Sequence, residues 1–212
     1  MDDKVTNILL SGVGGQGAIL ASNILAHVFV EAGYDVKKSE VHGMAQRGGD
    51  VTTHFRYGKK VYSPLIKYGD VHFLLAFELL EAYRYINYCR NDARIVINDQ
   101  KILPPAVNLG QMKYPENIPG AFRKYFDGHV YVIKGQEMAL TLGNAQAANV
   151  VLVGAFSKLL PRDKRRLVEE RPYGPSPEED PRAEREGLRC REKGARGLKD
   201  GAFEKHPNLC AL

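Results

Sequence analysis

Residues 7–17 read NILLSGVGGQG, and this stretch decides the fold. Asn7–Ser11 is apolar enough to predict a buried strand, and Gly12–Gly17 follows it as a tight turn. The next residues, Ala18–Ala32, have helical periodicity, and Gly33 caps the predicted helix. This helix is predicted to bury one face, made of Leu20, Ile24, Val28 and Ala32. A strand, a glycine turn and a helix in this order predict the first unit of a parallel α/β sheet.

The turn contains the pattern G-x-G-x-x-G, with glycines at positions 12, 14 and 17. In this context Gly12 permits the turn, Gly14 lets a ligand approach the backbone, and Gly17 lets the helix pack closely on the strand. The amide groups at the start of the helix also suit an anion. We therefore predict a cofactor-binding turn that consists of Gly12, Gly14, Gly15, Gln16 and Gly17. The alternative is a tight turn that binds no nucleotide.

A dinucleotide site of this kind also needs an acidic residue near the end of the second strand, where it holds a ribose. The second predicted strand, Asp35–Val41, offers Asp35 at its start and Glu40 near its end. Glu40 is only a loose match to the required position. A stand-alone NAD(P)-binding protein is therefore an alternative function at this point, and the glycine turn is its main support.

Short β-branched stretches alternate with amphipathic ones as far as about residue 160. This β-α-β alternation predicts an α/β fold, with a Rossmann-like, open and mostly parallel sheet and flanking helices. The later strands are predicted at Asp50–Tyr57, Val71–Ala76, Arg94–Asn98 and Val130–Lys134. The later helices are predicted at Glu78–Cys89, near Ala121–Phe126, and from about Gln136 to Leu160. Gly143 and Gly154 inside the last helix indicate close packing against another backbone.

A polar loop with three glycines follows the second strand, where residues 39–50 read SEVHGMAQRGGD. Open α/β sheets bind ligands at the carboxyl ends of their strands, and this loop lies at such an end. We predict three catalytic candidates here: Glu40, His42 and Arg47. His42 can donate or accept a proton, and Arg47 can hold a carboxylate through its planar guanidinium group. The alternatives are a solvated or structural His42 and a salt bridge from Arg47 to Glu40 or Asp50.

Two carboxylates, Glu78 and Glu81, fall in the first turn of a predicted helix, where they complement the helix dipole. For Glu81 we predict this structural role alone. Glu78 also follows a strand end, so it can face the same crevice as the glycine turn. The sequence has no recognisable Ser/His/Asp set, no paired catalytic carboxylates and no H-E-x-x-H motif. The chain therefore lacks a self-sufficient set of catalytic groups.

Composition excludes several classes of protein. The chain has 212 residues, 44% of them hydrophobic, so it can bury a sizeable core as one domain with an appendage. Its three cysteines are too scattered for a disulfide framework, a zinc site or an iron–sulfur cluster, so we predict no metal site. No apolar run reaches the roughly 18 residues of a membrane span, and no signal peptide is present, which predicts a cytoplasmic protein. The net charge of +5 is spread along the chain, so neither nucleic acid nor a membrane is a predicted partner.

The last segment differs in composition from the rest of the chain. Residues 165–212 contain 11 Lys and Arg, 10 Asp and Glu, and five prolines, so few of their side chains can join a core. We therefore predict an α/β domain over residues 1–164 and a charged, loosely ordered tail over residues 165–212.

Several short stretches together resemble one known family. They are Gly12–Gly17, Glu40–Gly49, Ser63–Ile66, Phe77–Arg84, and Leu142–Asn144 followed by Asn149. They resemble the gamma-type domain of 2-oxoacid:ferredoxin oxidoreductases, and most closely the beta-subunit family of indolepyruvate ferredoxin oxidoreductases. The glycine turn alone is unspecific, but the string HGMAQRGG at 42–49 behind it is a specific signal.

The resemblance implies oxidative decarboxylation of an aryl pyruvate to an aryl-acetyl-coenzyme A, with electrons passed to ferredoxin. It also implies that a larger partner subunit carries thiamine diphosphate, Mg²⁺ and the iron–sulfur clusters, with coenzyme A as co-substrate. This chain would be half an enzyme, in which the glycine turn and the Glu40–Gly49 loop complete or flank the active site. Pyruvate and 2-oxoglutarate are alternative substrates within the superfamily, and a purely structural assembly subunit is a further alternative.

Overall fold

A computed structural model of the chain describes residues 4–43, 49–126, 128–144, 147–161 and 168. By its internal contacts the chain divides into two units, Met1–Glu170 and Arg171–Leu212. All of the described residues lie in the first unit. The predicted boundary after residue 164 falls outside the described residues, and of the predicted tail they include Val168 alone, which is buried. Both the boundary and the tail stay predictions.

A single six-stranded sheet organises this unit, in the order β2-β3-β1-β4-β5-β6. Its strands are β1 (Thr6–Val13), β2 (Asp35–His42), β3 (Asp50–Gly58), β4 (Val71–Ala76), β5 (Cys89–Asn98) and β6 (Val130–Ile133). The helices are α1 (Ala18–Glu31), α2 (Leu79–Arg84), α3 (Pro105–Asn108), α4 (Ile118–Tyr125), α5 (Gly135–Thr141) and α6 (Ala148–Ser157), with a 3-10 turn at Ile86–Tyr88. No helix in the described part of the chain is long and apolar enough to cross a membrane.

The strand β1 lies at the centre of the sheet, and nearly all of its residues are buried. It pairs in parallel with β4, and β4, β5 and β6 continue in parallel. On its other side β1 pairs antiparallel with β3, which pairs antiparallel with β2. The α/β class and the mostly parallel sheet with flanking helices are therefore confirmed. The uninterrupted β-α-β alternation is wrong, because β3 runs against the other five strands and separates β1 from β2.

Helices cover both faces of the sheet. The side chains of Ile8 and Leu10 point to the face covered by α1 and α6, and that of Leu9 points to the face covered by α2 and α4. This alternation follows from the two-residue period of a strand. On the first face Phe29 of α1 stacks on Tyr57 of β3, with ring centroids 4.0 Å apart. Burial of both faces explains why Ile8, Leu9 and Leu10 form an uninterrupted apolar run in β1.

The buried face of α1 differs from the predicted one. Leu20 is 40% exposed. Val28 of the predicted face is buried, together with Ala18, Ala21, Ser22, Leu25, Ala26 and Phe29. Helix α1 is apolar at most positions, so its periodicity is compatible with more than one buried face. Because α1 packs between the sheet and α6, the buried face is the one that has small residues at the start of the helix.

The predicted long helix from Gln136 to Leu160 is two helices, α5 and α6. Helix α5 ends just before Gly143, which has a φ of +80°, a value that interrupts an α-helix. An ideal Cβ at Gly143 or Gly154 would meet no described atom within 4 Å, so the predicted close packing is wrong for this part of the chain. The predicted helix Glu78–Cys89 is also shorter, because a 3-10 turn follows α2 and β5 begins at Cys89.

Candidate functional site

The glycine turn lies where the sheet changes its direction of winding. From β1 the chain runs through α1 to β2 at one edge of the sheet. From β4 it runs through α2 to β5, towards the other edge. A crevice forms between the carboxyl ends of two such strands, and open α/β sheets place their ligands there. Gly12–Gly17 lies on one side of this crevice, and Phe77 with Glu78 lies on the other.

A network of carboxamide groups bridges the crevice. The Val13 N–H donates to Oε1 of Gln16 at 2.7 Å, and Nε2 of Gln16 donates to the Phe77 carbonyl and to Oε1 of Gln100, both at 2.9 Å. Nδ2 of Asn98 donates to the same two acceptors at 3.1 and 3.0 Å. The Val13 N–H can only donate, so it fixes which end of the Gln16 carboxamide faces it. Gln16 thereby ties the turn after β1 to the segments after β4 and β5.

Close neighbours explain two of the glycines. A Cβ at Gly12 would lie 2.9 Å from Cβ of Phe77, so any side chain there would push the turn away from β4. Gly17 has a φ of +80°, and a Cβ there would lie 2.6 Å from Nδ2 of Asn149 in α6. Gly15 differs, because a Cβ at that position would meet no described atom within 4 Å. Gly15 is exposed, and its φ of +98°, a value that favours glycine, accounts for a glycine at this position of the predicted cofactor-binding turn.

The position of β3 separates Glu40 from the glycine turn. A ribose-holding carboxylate must come from the strand next to β1, and that strand is β3. Glu40 lies on β2, two strand spacings or about 9–10 Å from β1. Its carboxylate also accepts from Nζ of Lys38 at 2.9 Å. Glu40 is therefore far from the position that a Rossmann-type ribose site requires.

The predicted catalytic loop is anchored to the glycine turn. The Gly43 N–H donates to the Asp50 carbonyl at 2.9 Å, which closes the base of the loop, and the Gly14 N–H donates to the Gly49 carbonyl at 2.8 Å. Arg47 lies outside the described residues, and only the backbone of His42 is described, in register with Val51. The structure therefore brings together the two predicted motifs through the ends of the loop. The catalytic roles of Glu40, His42 and Arg47 stay predictions.

Glu78 has a local structural role. It is fully buried and caps α2, and its carboxylate accepts from the Glu81 N–H at 2.9 Å. It also accepts from the Ile102 N–H at 3.0 Å and from the Tyr114 hydroxyl at 2.6 Å. Burial and the bond to Glu78 raise the pKa of the Tyr114 hydroxyl. Glu78 lies at the crevice, as the sequence suggested, but its carboxylate serves to fix the α2 start and the segment before α4.

Glu81 is more than a complement to the helix dipole. Its side chain is buried, and Nε of Arg84 lies 3.1 Å from its Oε2. Burial raises the pKa of the Glu81 carboxyl, and the hydrogen bonds and charge of Arg84 oppose that shift. The Ser11 hydroxyl of β1 donates to the Glu81 carbonyl at 3.3 Å. The Glu-x-x-Arg spacing could have indicated this pair from sequence, whereas burial depends on how α2 packs on β1.

The described residues contain no group of three or more His, Cys, Asp or Glu side chains that could hold a metal ion. The polar groups at the crevice are mostly amides that bond to one another. The described part of the site is thus suited to holding backbone segments in place.

The family model for pyruvate ferredoxin/flavodoxin oxidoreductases matches residues 7–170. The chain belongs to this family, which confirms the resemblance. It is 38% identical over 157 residues to the indolepyruvate oxidoreductase subunit IorB of Pyrococcus horikoshii, across 73% of this chain and 78% of the relative.

Solved structures share the fold. The pyruvate oxidoreductase subunit PORC of Thermotoga maritima aligns over 81% of this chain and 87% of its own, with a TM-score of 0.57 and 21% identity. The 2-oxoglutarate:ferredoxin oxidoreductase of Magnetococcus marinus, solved with 2-oxoglutarate, coenzyme A and succinyl-CoA, has a TM-score of 0.56 and 19% identity. There the alignment spans all of this chain and 32% of the longer chain.

Replacement of Gln16 tests the carboxamide network. We expect Gln16→Ala to lower the free energy of unfolding by about 1–3 kcal/mol, because it removes a partner of the Val13 N–H and of the Phe77 carbonyl. Gln16→Glu should cost at least as much, since it sets a carboxylate oxygen against that carbonyl. Urea unfolding measures both, with the exposed Gln111→Ala as the control. Unchanged stability of both Gln16 variants would show that the network contributes nothing to the fold.

Proposed function

We propose that this chain is the smaller, non-autonomous subunit of an indolepyruvate-type 2-oxoacid:ferredoxin oxidoreductase. The complex would convert an aryl pyruvate and coenzyme A to an aryl-acetyl-coenzyme A and CO₂, with electrons passed to ferredoxin. The observation that carries this proposal is the 38% identity to an indolepyruvate oxidoreductase subunit over most of both chains. Membership of the oxidoreductase family, over residues 7–170, supports the reaction class.

The cofactors belong, in this proposal, to a larger partner subunit. The described residues offer no set of metal ligands that fits Mg²⁺ with thiamine diphosphate or an iron–sulfur cluster. When bound in the partner, thiamine diphosphate supplies the decarboxylation chemistry and the clusters accept the electrons.

The contribution of this chain is to complete the site from one side. The bond between Gly14 and Gly49 holds the base of the Glu40–Gly49 loop against the glycine turn. A ligand of the partner, such as coenzyme A, would pass the turn at Gly15, where a Cβ would meet no described atom within 4 Å. Arg47 would hold a carboxylate of the substrate, and His42 would exchange a proton. Glu40 would act from β2, where Lys38 already compensates its charge.

Pyruvate and 2-oxoglutarate are the competing substrates. One solved structure with this fold is named for pyruvate and another for 2-oxoglutarate. Their sequence identities to this chain, 21% and 19%, support the fold alone. The aryl pyruvate is preferred because the relative at 38% identity has indolepyruvate in its name.

Reconstitution tests the proposed function. We expect the purified chain, supplied with thiamine diphosphate and Mg²⁺, to show no 2-oxoacid-dependent reduction of a viologen dye. Addition of the larger subunit from the same organism should restore turnover, with a higher kcat/KM for indolepyruvate than for pyruvate or 2-oxoglutarate. Turnover by the chain alone would end the subunit proposal. A preference for pyruvate or 2-oxoglutarate in the complex would replace the indolepyruvate assignment.

The roles of His42 and Arg47 are testable in the same complex. We expect His42→Ala to lower kcat by about 10²-fold, in the range typical of a lost proton-transfer group. Arg47→Ala should raise KM for the 2-oxoacid, because the guanidinium group would no longer hold the carboxylate. Both variants should melt near the wild-type temperature, since loop residues contribute little to a core. Arg123→Ala, an exposed residue of α4, is the matched control. Normal kinetics in both loop variants would show that the loop is structural.

A further inference from the structure

Two histidines accept hydrogen bonds from backbone N–H groups of segments that are distant in sequence. His54 of β3 is buried, and its Nδ1 accepts from the Ile66 N–H at 3.1 Å. His72 of β4 is half-buried, and its Nδ1 accepts from the Asn7 N–H, also at 3.1 Å. A backbone N–H can only donate, so each Nδ1 is unprotonated and each neutral ring carries its hydrogen on Nε2. Both bonds therefore exist only while the imidazoles are neutral.

The two bonds act on one segment, residues 59–70, which joins β3 to β4 and which we call the connector. Ile66 lies in the middle of the connector and is buried in the core on the face covered by α2 and α4. Asn7 ties the end of the connector, because its Nδ2 donates to the carbonyl and to Oδ2 of Asp70 at 2.8 and 2.9 Å. The first imidazole thus holds the middle of the connector, and the second orients the residue that holds its end.

Two ionised side chains hold other parts of the connector. Nη1 of Arg56 donates to two of its carbonyl groups, at 2.8 and 3.2 Å. The Val61 N–H donates to Oδ2 of Asp35 at 2.9 Å. Arg56 stays protonated and Asp35 stays ionised between about pH 5 and pH 8, whereas imidazole changes its charge in this range. Among these groups, the imidazoles are the ones whose bonds respond to pH near neutrality.

The surroundings of His54 contain no carboxylate that would compensate a protonated ring. Its register partners are Leu9 of β1 and Ser39 of β2, and the ring of Tyr88 meets it edge-on at 5.6 Å. The titratable and charged groups of the elements around it are Arg56 of β3, Lys37 of β2, Lys67 and Tyr68 of the connector, and Tyr85 and Tyr88 at the 3-10 turn. Burial lowers the pKa of His54, with no opposing charge among the described residues.

His72 has charges of both signs around it. Nη1 of Arg90 lies 3.5 Å from its Nε2, where two hydrogen-bond donors face each other. Burial and the charge of Arg90 lower the pKa of His72. Asp70 and Asp92 oppose this shift, and Arg56 adds to it. A histidine with a lowered pKa stabilises the fold above its ordinary pKa of about 6.5, and this stabilisation is lost as the pH falls through the lowered value.

We propose that His54 and His72 form an acid-sensitive clasp, which binds the connector to the sheet near neutral pH and releases it in mild acid. Protonation turns each Nδ1 from an acceptor into a donor, so each ring loses its bond to the backbone N–H. The protonated ring of His54 would also lie on the same strand face as the guanidinium group of Arg56. Release exposes Ile66, whereas the core on the other face of the sheet keeps its contacts. The clasp is a property of this chain alone and does not rest on the proposed function.

The test is hydrogen exchange of the purified full-length chain, measured by mass spectrometry and corrected for the effect of pH on the intrinsic rate. From about pH 7.5 to about pH 5.5 we expect the protection of the connector amides to fall about 10-fold or more, and that of α1 to stay unchanged. The double variant His54→Asn/His72→Asn keeps an acceptor oxygen but cannot titrate, so its connector should be protected equally at both pH values. His27→Asn, at an exposed histidine of α1, is the matched control and should behave like the wild type.

Three results would overturn the clasp. Equal protection of the wild-type connector at both pH values would show that acid does not release it. The same loss in the double variant would assign the release to another group, and a loss of equal size in α1 would show global unfolding. If the double variant does not fold, ¹⁵N NMR of the wild-type imidazoles decides: Nδ1 of both rings should become protonated as connector protection is lost, and protonated rings with undiminished protection would refute the proposal.

Discussion

The antiparallel pairing of β3 with β1 is the constraint on which the rest of the structure depends. All eight residues of β1 are in register with β3, from Thr6 opposite Tyr57 to Val13 opposite Asp50. This register places the start of β3 beside the glycine turn, and so delivers the ends of the Glu40–Gly49 loop to that turn. It also displaces β2 from β1. The glycine turn, a motif that often accompanies a dinucleotide site, therefore lies beside the Glu40–Gly49 loop and not beside β2.

Much of the fold could be predicted from sequence, because its signals are local. The apolar strand, the glycine turn and the cap at Gly33 are each encoded within a few residues. The insertion of β3 could not be predicted, because alternating residue patterns locate strands and do not state which strands pair. The division of the last helix at Gly143 depended on a positive φ, which glycine permits without requiring it.

The candidate site was predictable in its motifs but not in its contacts. The glycine turn and the loop were located because both follow strand ends. The roles of Asn98, Gln100 and Asn149 were missed, since these residues meet the turn only after β4, β5 and α6 have packed beside it. The resulting crevice is fixed by internal hydrogen bonds on one side, and no described residue fills the space beside Gly15. This arrangement agrees with a surface that a second chain completes, as the family membership also suggests.

The most direct test of this interpretation is calorimetric titration of the purified chain with NAD, NADP and FAD. We expect no saturable heat from any of the three, because β3 keeps Glu40 away from the glycine turn and Gln16 already bonds to the Val13 N–H. Saturable binding of one of them with a micromolar dissociation constant, abolished by a bulky substitution at Gly15, would contradict it. The glycine turn would then be a nucleotide site, and the chain a nucleotide-binding protein in its own right.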